Sequence, residues 1–283
     1  LVQSFIAECR ARGVGETTLQ SRERFLLRFG VWMRATSSRT QIADVNGETI
    51  AAFLKLDSVF RAKTTISSRM SHLRCFGEFL NREGIWRKNY VRWMRGPKIN
   101  IGSHKTKALQ REEIEKVLTA AFQTRLGILQ HLWPVMIMSF FTLGLRRGEL
   151  LRLDFADWNP KEKTLKVSST KSKWDRYLPV PNSLAQALDG YVLARHRLLA
   201  RKGRLDEKAF FVNIKGERVS ANSCSVGIQT IASRAGVENF HVHRLRHSCA
   251  TELVANGVSL PIVKMVLGHS HFMTTARYVQ VSG

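Results

Sequence analysis

Apolar residues recur at helical spacing along the first third of the chain, as at Leu19, Phe25, Leu26, Phe29 and Trp32. The spacing predicts helices over 2–12, 17–34, 47–56 and 63–82, with a short one at 86–93, and makes Asn46 and the 81–84 stretch boundaries. This region, 1–94, reads as all-α. From 95 to 107 the sequence RGPKINIGSHKTK has no apolar period and reads as a basic linker. Beyond it, helices are predicted at 111–122 and 126–143, the second apolar on nearly all sides and therefore buried. Strand-like segments at 164–169 and 177–180 flank a polar turn at 170–174 and predict a β-hairpin. Helices resume at 183–201, 221–235, 244–256, 261–267 and around 274–278. The expected fold is mainly α with a small β-sheet (α+β), in two domains, 1–94 and 108–283.

Charge changes the picture. The chain carries 45 Lys+Arg against 22 Asp+Glu, a formal +23. Of these, 18 basic and 8 acidic residues precede position 101, and 27 and 14 follow it, so both halves are basic. Two basic bodies joined by a polybasic connector suit a clamp on one polyanion, with duplex nucleic acid the leading partner. Arg24 and Arg28 on one helix face, Lys105 and Lys107 in the linker, Lys173 in the turn and Arg244 are candidate DNA contacts, although a solvated surface explains any single one of them. The most apolar stretch, 132–145, has 14 residues and includes Pro134, Ser139 and Thr142. It falls short of the ~18 needed to span a bilayer, so no membrane role is expected. Cys9, Cys75, Cys224 and Cys249 form no C-x-x-C pair, which fits a reducing compartment and neither a disulfide framework nor a zinc ribbon. The chain begins at Leu1 with no signal-peptide pattern.

Five segments between Leu143 and Tyr278 carry chemistry: LGLRRGEL at 143–150, TKSK at 170–173, HRLRHSCAT at 243–251, LGHS at 267–270 and TTARY at 274–278. Transesterification of a phosphodiester needs a nucleophile, cationic groups for the non-bridging oxygens and an acid for the leaving oxygen. Arg146 and Arg246 offer guanidinium forks matched to phosphate. Arg147 competes with Arg146, but helix neighbours point about 100° apart, so one of them faces the pocket. His243, Arg246 and His247 share a helical face by their spacing. The alternative for the histidines is zinc, since H-x-H-x-x-x-H at 241–247 has ligand-like spacing; Arg244 and Arg246 beside it oppose a dication. Tyr278 has an ordinary pKa near 10 and needs a cationic field and a base to attack near neutrality. Lys171 and Lys173 are rivals for a proton donor at the hairpin tip.

In this order the motifs resemble the tyrosine recombinase, or phage integrase, family, in its Xer and transposon-integrase branch, whose pattern is T-G-L-R-x-S-E-L, a hairpin Lys, H-x-L-R-H, L-G-H-S and T-T-x-x-Y. The resemblance spans 110–278. It implies a helical core-binding (SAM-like) domain and a catalytic domain closing as a C-shaped clamp on double-stranded DNA with inverted core sites. It implies site-specific recombination through a 3′-phosphotyrosine, with Tyr278 as nucleophile, Arg146 and Arg246 on the phosphate, and His243 handling the proton. Lys171 stands at the family's general-acid position, His269 is a further phosphate donor, and Glu149 and His247 are structural supports. No metal or other cofactor is implied. A tetramer on two sites, a Holliday junction, and a cytoplasmic, nucleoid-associated prokaryotic setting are implied too. The biological role stays open among integration, excision, transposition and dimer resolution. Leu143 and Gly148 depart from the family's Thr and Ser, and only 279–283 follow Tyr278, where members commonly carry a longer segment. An arm-binding domain before the helical half is not expected, which favours action on simple core sites. A type IB topoisomerase-like nicking and closing enzyme, a non-catalytic DNA-binding protein of the same fold, and a metal-dependent nuclease remain alternatives.

Overall fold

The structure is a computed structural model, which describes residues 1–36, 41–98, 108–168 and 175–268. The chain divides into two compact units, Leu1–His104 and Lys105–Gly283.

The first unit packs four helices, α1 (Val2–Ala11), α2 (Glu16–Thr36), α3 (Gly47–Val59) and α4 (Lys63–Arg82). Their apolar stripes converge on a phenylalanine-rich core in which Phe5 sits 5.2 Å from Phe76 and Phe29 sits 4.9 Å from Phe53, ring centroid to centroid. Asn46 caps α3 by accepting from the Thr49 backbone N–H at 3.0 Å.

The short helix predicted at 86–93 is absent, and this segment is a series of turns. Trp86 and Val91 are both buried, and side chains satisfy the local carbonyls: Arg74 donates to Val91 O and Met94 O, and Asn81 to Trp86 O. With those acceptors taken and the Trp86 indole N–H donated to Ile42 O at 2.7 Å, the backbone is pinned outside helical geometry.

The second unit is built on α6 (Leu129–Thr142), buried as its all-round apolar sequence requires, with Met136, Ile137 and Phe140 fully enclosed. Around it lie α5 (Arg111–Phe122), α8 (Asn182–Lys202), α9 (Ala221–Arg234) and α10 (Val242–Ala255). A three-stranded antiparallel sheet, β1 (Trp158–Asn159), β2 (Thr164–Val167) and β3 (Arg176–Pro179), runs in the order β1-β2-β3. The hairpin is present in slightly shorter form than its sequence predicts, and β1 and the short helix α7 (Arg147–Arg152) join it unannounced by periodicity.

The fold is thus mainly helical with one small sheet, as expected. Finally α11 (Leu260–Leu267) packs on α10 through Val263, Leu267 and Ala250. Among the described residues no helix is long and apolar enough to cross a membrane, and the four cysteines are free thiols.

Candidate active site

The site begins at a turn that only glycine makes cheaply. Gly144 follows α6 with φ +58°, and a Cβ there would lie 2.5 Å from the Leu267 side chain. The tight approach brings the end of α6, the start of α7 and the end of α11 together. Arg146 then caps α7: its backbone N–H donates to Glu149 Oε2 at 2.8 Å and its Nη1 to Glu149 Oε1 at 2.7 Å, while its Nη2 donates to Gly268 O at 2.8 Å. Its side chain is still 40% exposed, so the outer edge of the fork is open to a ligand.

Arg246, from α10, differs in kind. It is buried, with Nη1 donating to Gly144 O at 2.6 Å and Nη2 to Leu267 O at 2.8 Å. Glu149 lies between the two, 3.8 Å from Arg246 Nη1. A third arginine completes the group. Arg176, the first residue of β3, donates from Nη2 to Glu149 Oε2 at 2.8 Å and from Nη1 to Oε1 at 3.3 Å. Burial works against charge on Glu149, but hydrogen bonds from Arg176 and Arg146 outweigh it and hold the carboxyl below its ordinary range. The carboxylate therefore stays ionised, and its contribution to stability is present above the ordinary value of 4.5 and lost as pH falls through the depressed one.

Three guanidiniums thus face one carboxylate, leaving an excess of about two positive charges on a partly buried cluster. Such an excess is costly unless an anion completes it. His243, at the start of α10, stands in this field: burial first, then Arg147, Arg246 and Arg146, push its pKa below the ordinary 6.5. It is a neutral imidazole at pH 7, able to accept a proton. Because the unfolded chain binds that proton more readily, this depression costs stability as pH drops below about 6.5. In an NMR titration of the free protein the His243 ring should turn over below the midpoint of an exposed histidine, with the resonance assigned by His243→Gln. A midpoint above 6.5 would remove the cationic field from this account.

The other predicted residues divide. His247 is half-buried, with Nδ1 3.4 Å from Thr251 Oγ1. Arg244 points elsewhere, its Nη1 donating to Glu238 O and Asn239 O and its Nη2 3.8 Å from Glu113. Arg147, the rival of Arg146, donates to Ser225 on α9 at 2.6 Å, and of the charges that lower the His243 pKa it is the strongest. In the first unit Arg24 is exposed, but Arg28 is held by the buried Asp57 at 2.8 Å, which Arg69 also binds. Lys105, Lys107, Lys171, Lys173, His269 and Tyr278 lie outside the described residues. Among the described residues no three His, Cys, Asp or Glu side chains are grouped to hold a metal ion.

The residue that sequence reasoning missed is Arg176. Its signal was available in the strand period, because Leu178, two residues on, is buried, and the same face of β3 carries Arg176. A charge on the core-facing side of a strand implies a buried partner.

The profile of the phage integrase family matches residues 107–283. The tyrosine recombinase XerC of Thermodesulfovibrio yellowstonii is 30% identical over 223 residues, covering 78% of this chain and 72% of the relative. The tyrosine recombinase XerD of Oceanobacillus iheyensis is 28% identical over 279 residues, 96% and 90% of the two chains. Among solved structures, XerH site-specific recombinase bound to palindromic difH substrate in a post-cleavage complex superposes with a TM-score of 0.76 at 19% identity, over 100% of this chain and 82% of that one. A lambda integrase dimer bound to a COC′ core site gives 0.70 at 18% identity, over 96% and 95%.

Proposed function

The chain belongs to the phage integrase family, and from that premise we propose that it is a site-specific tyrosine recombinase that cuts and rejoins duplex DNA through a 3′-phosphotyrosine. The observation that carries this reading is the arginine cluster on Glu149, three guanidiniums around one carboxylate, which fits a phosphodiester beside a neutral His243. Arg146 presents its open edge to a non-bridging oxygen. Arg246 adds charge from beneath.

In the forward step the Tyr278 oxygen attacks phosphorus and passes its proton to His243, the negative charge builds on the oxygens facing the arginines, and the 5′ oxygen leaves with a proton from Lys171. The phosphotyrosine keeps the bond energy, so the reverse attack by a 5′ hydroxyl rejoins the strand without an added energy source. His269 is a further phosphate donor in this scheme, and His247 supports α10. The basic charge of both units, with Arg24 in the first and Lys105, Lys107 and Lys173 in the second, supports contact of both with one duplex. A tetramer on two inverted core sites exchanging strands through a Holliday junction follows from the family chemistry. A nicking and closing enzyme of type IB topoisomerase character would use the same groups on one site.

The test is a reaction on a plasmid bearing two copies of the bound sequence, selected first from a random duplex pool. Recombinant product of defined junction is expected. Relaxation of supercoils with no two-site product would replace recombination by nicking and closing.

A further inference from the structure

Arg176 joins three parts of the chain through one guanidinium. Its Nη1 and Nη2 bind the two oxygens of Glu149, and its Nε donates to Val266 O, in the last turn of α11, at 3.1 Å. Its side chain is 13% exposed, a third of the value for Arg146, so it sits behind the carboxylate while Arg146 sits in front. Gly268 makes room for it: with φ +63° this residue ends α11, and a Cβ there would lie 2.8 Å from Arg176 Nη1. The Gly268 carbonyl in turn accepts from Arg146 Nη2.

A closed circuit results, running from Arg176 to Glu149, from Glu149 to Arg146, from Arg146 to the end of α11, and from α11 back to Arg176. Glu149 is 5% exposed and has freedom to rotate only if one of its arginines lets go. The two-point contact of Arg176 fixes the carboxylate plane from behind, and with it the oxygen that holds Arg146 Nη1 in front; Gly268 O holds Nη2, so the direction of the Arg146 fork is set as well as its distance.

We propose that Arg176 is a positioning residue for strand cleavage, one that presets Arg146 toward the scissile phosphate through Glu149 and does so without touching the DNA. This rests on the recombinase reading above and adds a residue that the five motifs do not contain. Lysine would be a partial substitute, since a single ammonium can reach Glu149 but cannot bind both oxygens and Val266 O together.

The experiment is single-turnover cleavage of a nicked suicide duplex, with binding followed separately, by the parent protein, Arg176→Gln, Arg176→Lys, Arg146→Ala and the Arg176→Gln/Arg146→Ala double variant. Misplacing one preorganised group by about 1 Å costs on the order of 100-fold, which is the loss expected of Arg176→Gln with binding kept within a few-fold. Arg176→Lys should recover to within about tenfold of the parent. In the Arg146→Ala background Arg176→Gln should cost less than about threefold more, because the group it positions is already gone. A 5′-bridging phosphorothioate should leave the Arg176→Gln loss in place, since the leaving oxygen is not what Arg176 serves.

Full additivity in the double variant, or rescue by the sulfur substrate, overturns the inference. Should Arg176→Gln fail to fold by thermal melting, Arg176→Lys combined with Arg146→Ala carries the same comparison, its smaller loss vanishing if the inference holds and persisting if it does not. A parent protein that forms no covalent adduct would defeat the recombinase reading itself; a parent that forms one, beside an Arg176→Gln variant of equal rate, would defeat only the role of Arg176.

Discussion

A Tyr278→Phe protein is expected to lose covalent attachment to DNA entirely while binding the duplex almost as tightly as its parent. The substitution removes one oxygen and no charge, so the electrostatic contacts that dominate affinity stay in place. On the proposed chemistry the reaction loses its nucleophile. The chain has three other tyrosines, and the structure separates them. Tyr191 is fully buried, donating to Phe210 O at 3.0 Å and accepting from Val212 N at 2.9 Å, so its hydroxyl is committed within the core. Tyr90 packs edge-on against Trp86 in the first unit. Tyr177 is 66% exposed on β3, one residue from the arginine cluster, and is the fitting control. Trapping on a nicked suicide duplex followed by a denaturing gel reads the result: no adduct from Tyr278→Phe and a parental yield from Tyr177→Phe. An adduct that persists in Tyr278→Phe and vanishes in Tyr177→Phe would give the nucleophile to the hairpin strand.

The helices of both units were legible because each buries one stripe against a core, and burial at that spacing is what the apolar period records. Asn46 was legible for the same kind of local reason, its side chain closing on a backbone N–H three residues away. What failed was decided at long range. The 86–93 segment has helix-like content, but side chains of the helix before it take two of its carbonyls, Arg74 that of Val91 and Asn81 that of Trp86. The pairing of Arg28 with Asp57, 29 residues further on, is likewise invisible to a local pattern that puts Arg28 on one helix face with the exposed Arg24.

The active site shows the same division. Arg146 and Glu149 are three apart on one helical turn and could be paired from sequence. Arg246 and His243 came from a motif that places them on one face. Arg176 meets Glu149 across 27 residues and Val266 across 90, and Gly268 is needed because Arg176 is there. No local pattern carries those distances; the strand period reveals only that Arg176 faces inward.

The same geometry separates Arg146 from Arg246 by experiment. Replacing either with Ala is expected to raise the cleavage barrier by on the order of 3 kcal/mol or more, the scale of losing one preorganised electrostatic group, a donor in Arg146 and a buried charge in Arg246, at a developing oxyanion. They should part company in stability. Arg146 has 40% of its side chain exposed, and its removal leaves Glu149 still bound by Arg176, so Arg146→Ala should melt close to the parent. Arg246 is buried and supplies the donors for Gly144 O and Leu267 O. Arg246→Ala strands two carbonyls beside a glycine turn that has no slack, and each buried acceptor left without a donor costs about 1–3 kcal/mol. Its melting temperature should fall by several degrees, about 2–4 °C for each kcal/mol in a chain of this size.

Arg246→Lys sharpens the comparison, since an ammonium can serve one carbonyl and keep the charge but cannot span both as the fork does. It should recover part of the stability and little of the rate. Equal melting of Arg146→Ala and Arg246→Ala would mean that Arg246 does not brace the turn. Parental cleavage by either one would remove that arginine from the phosphate site and leave Glu149 with a purely architectural arginine in its place.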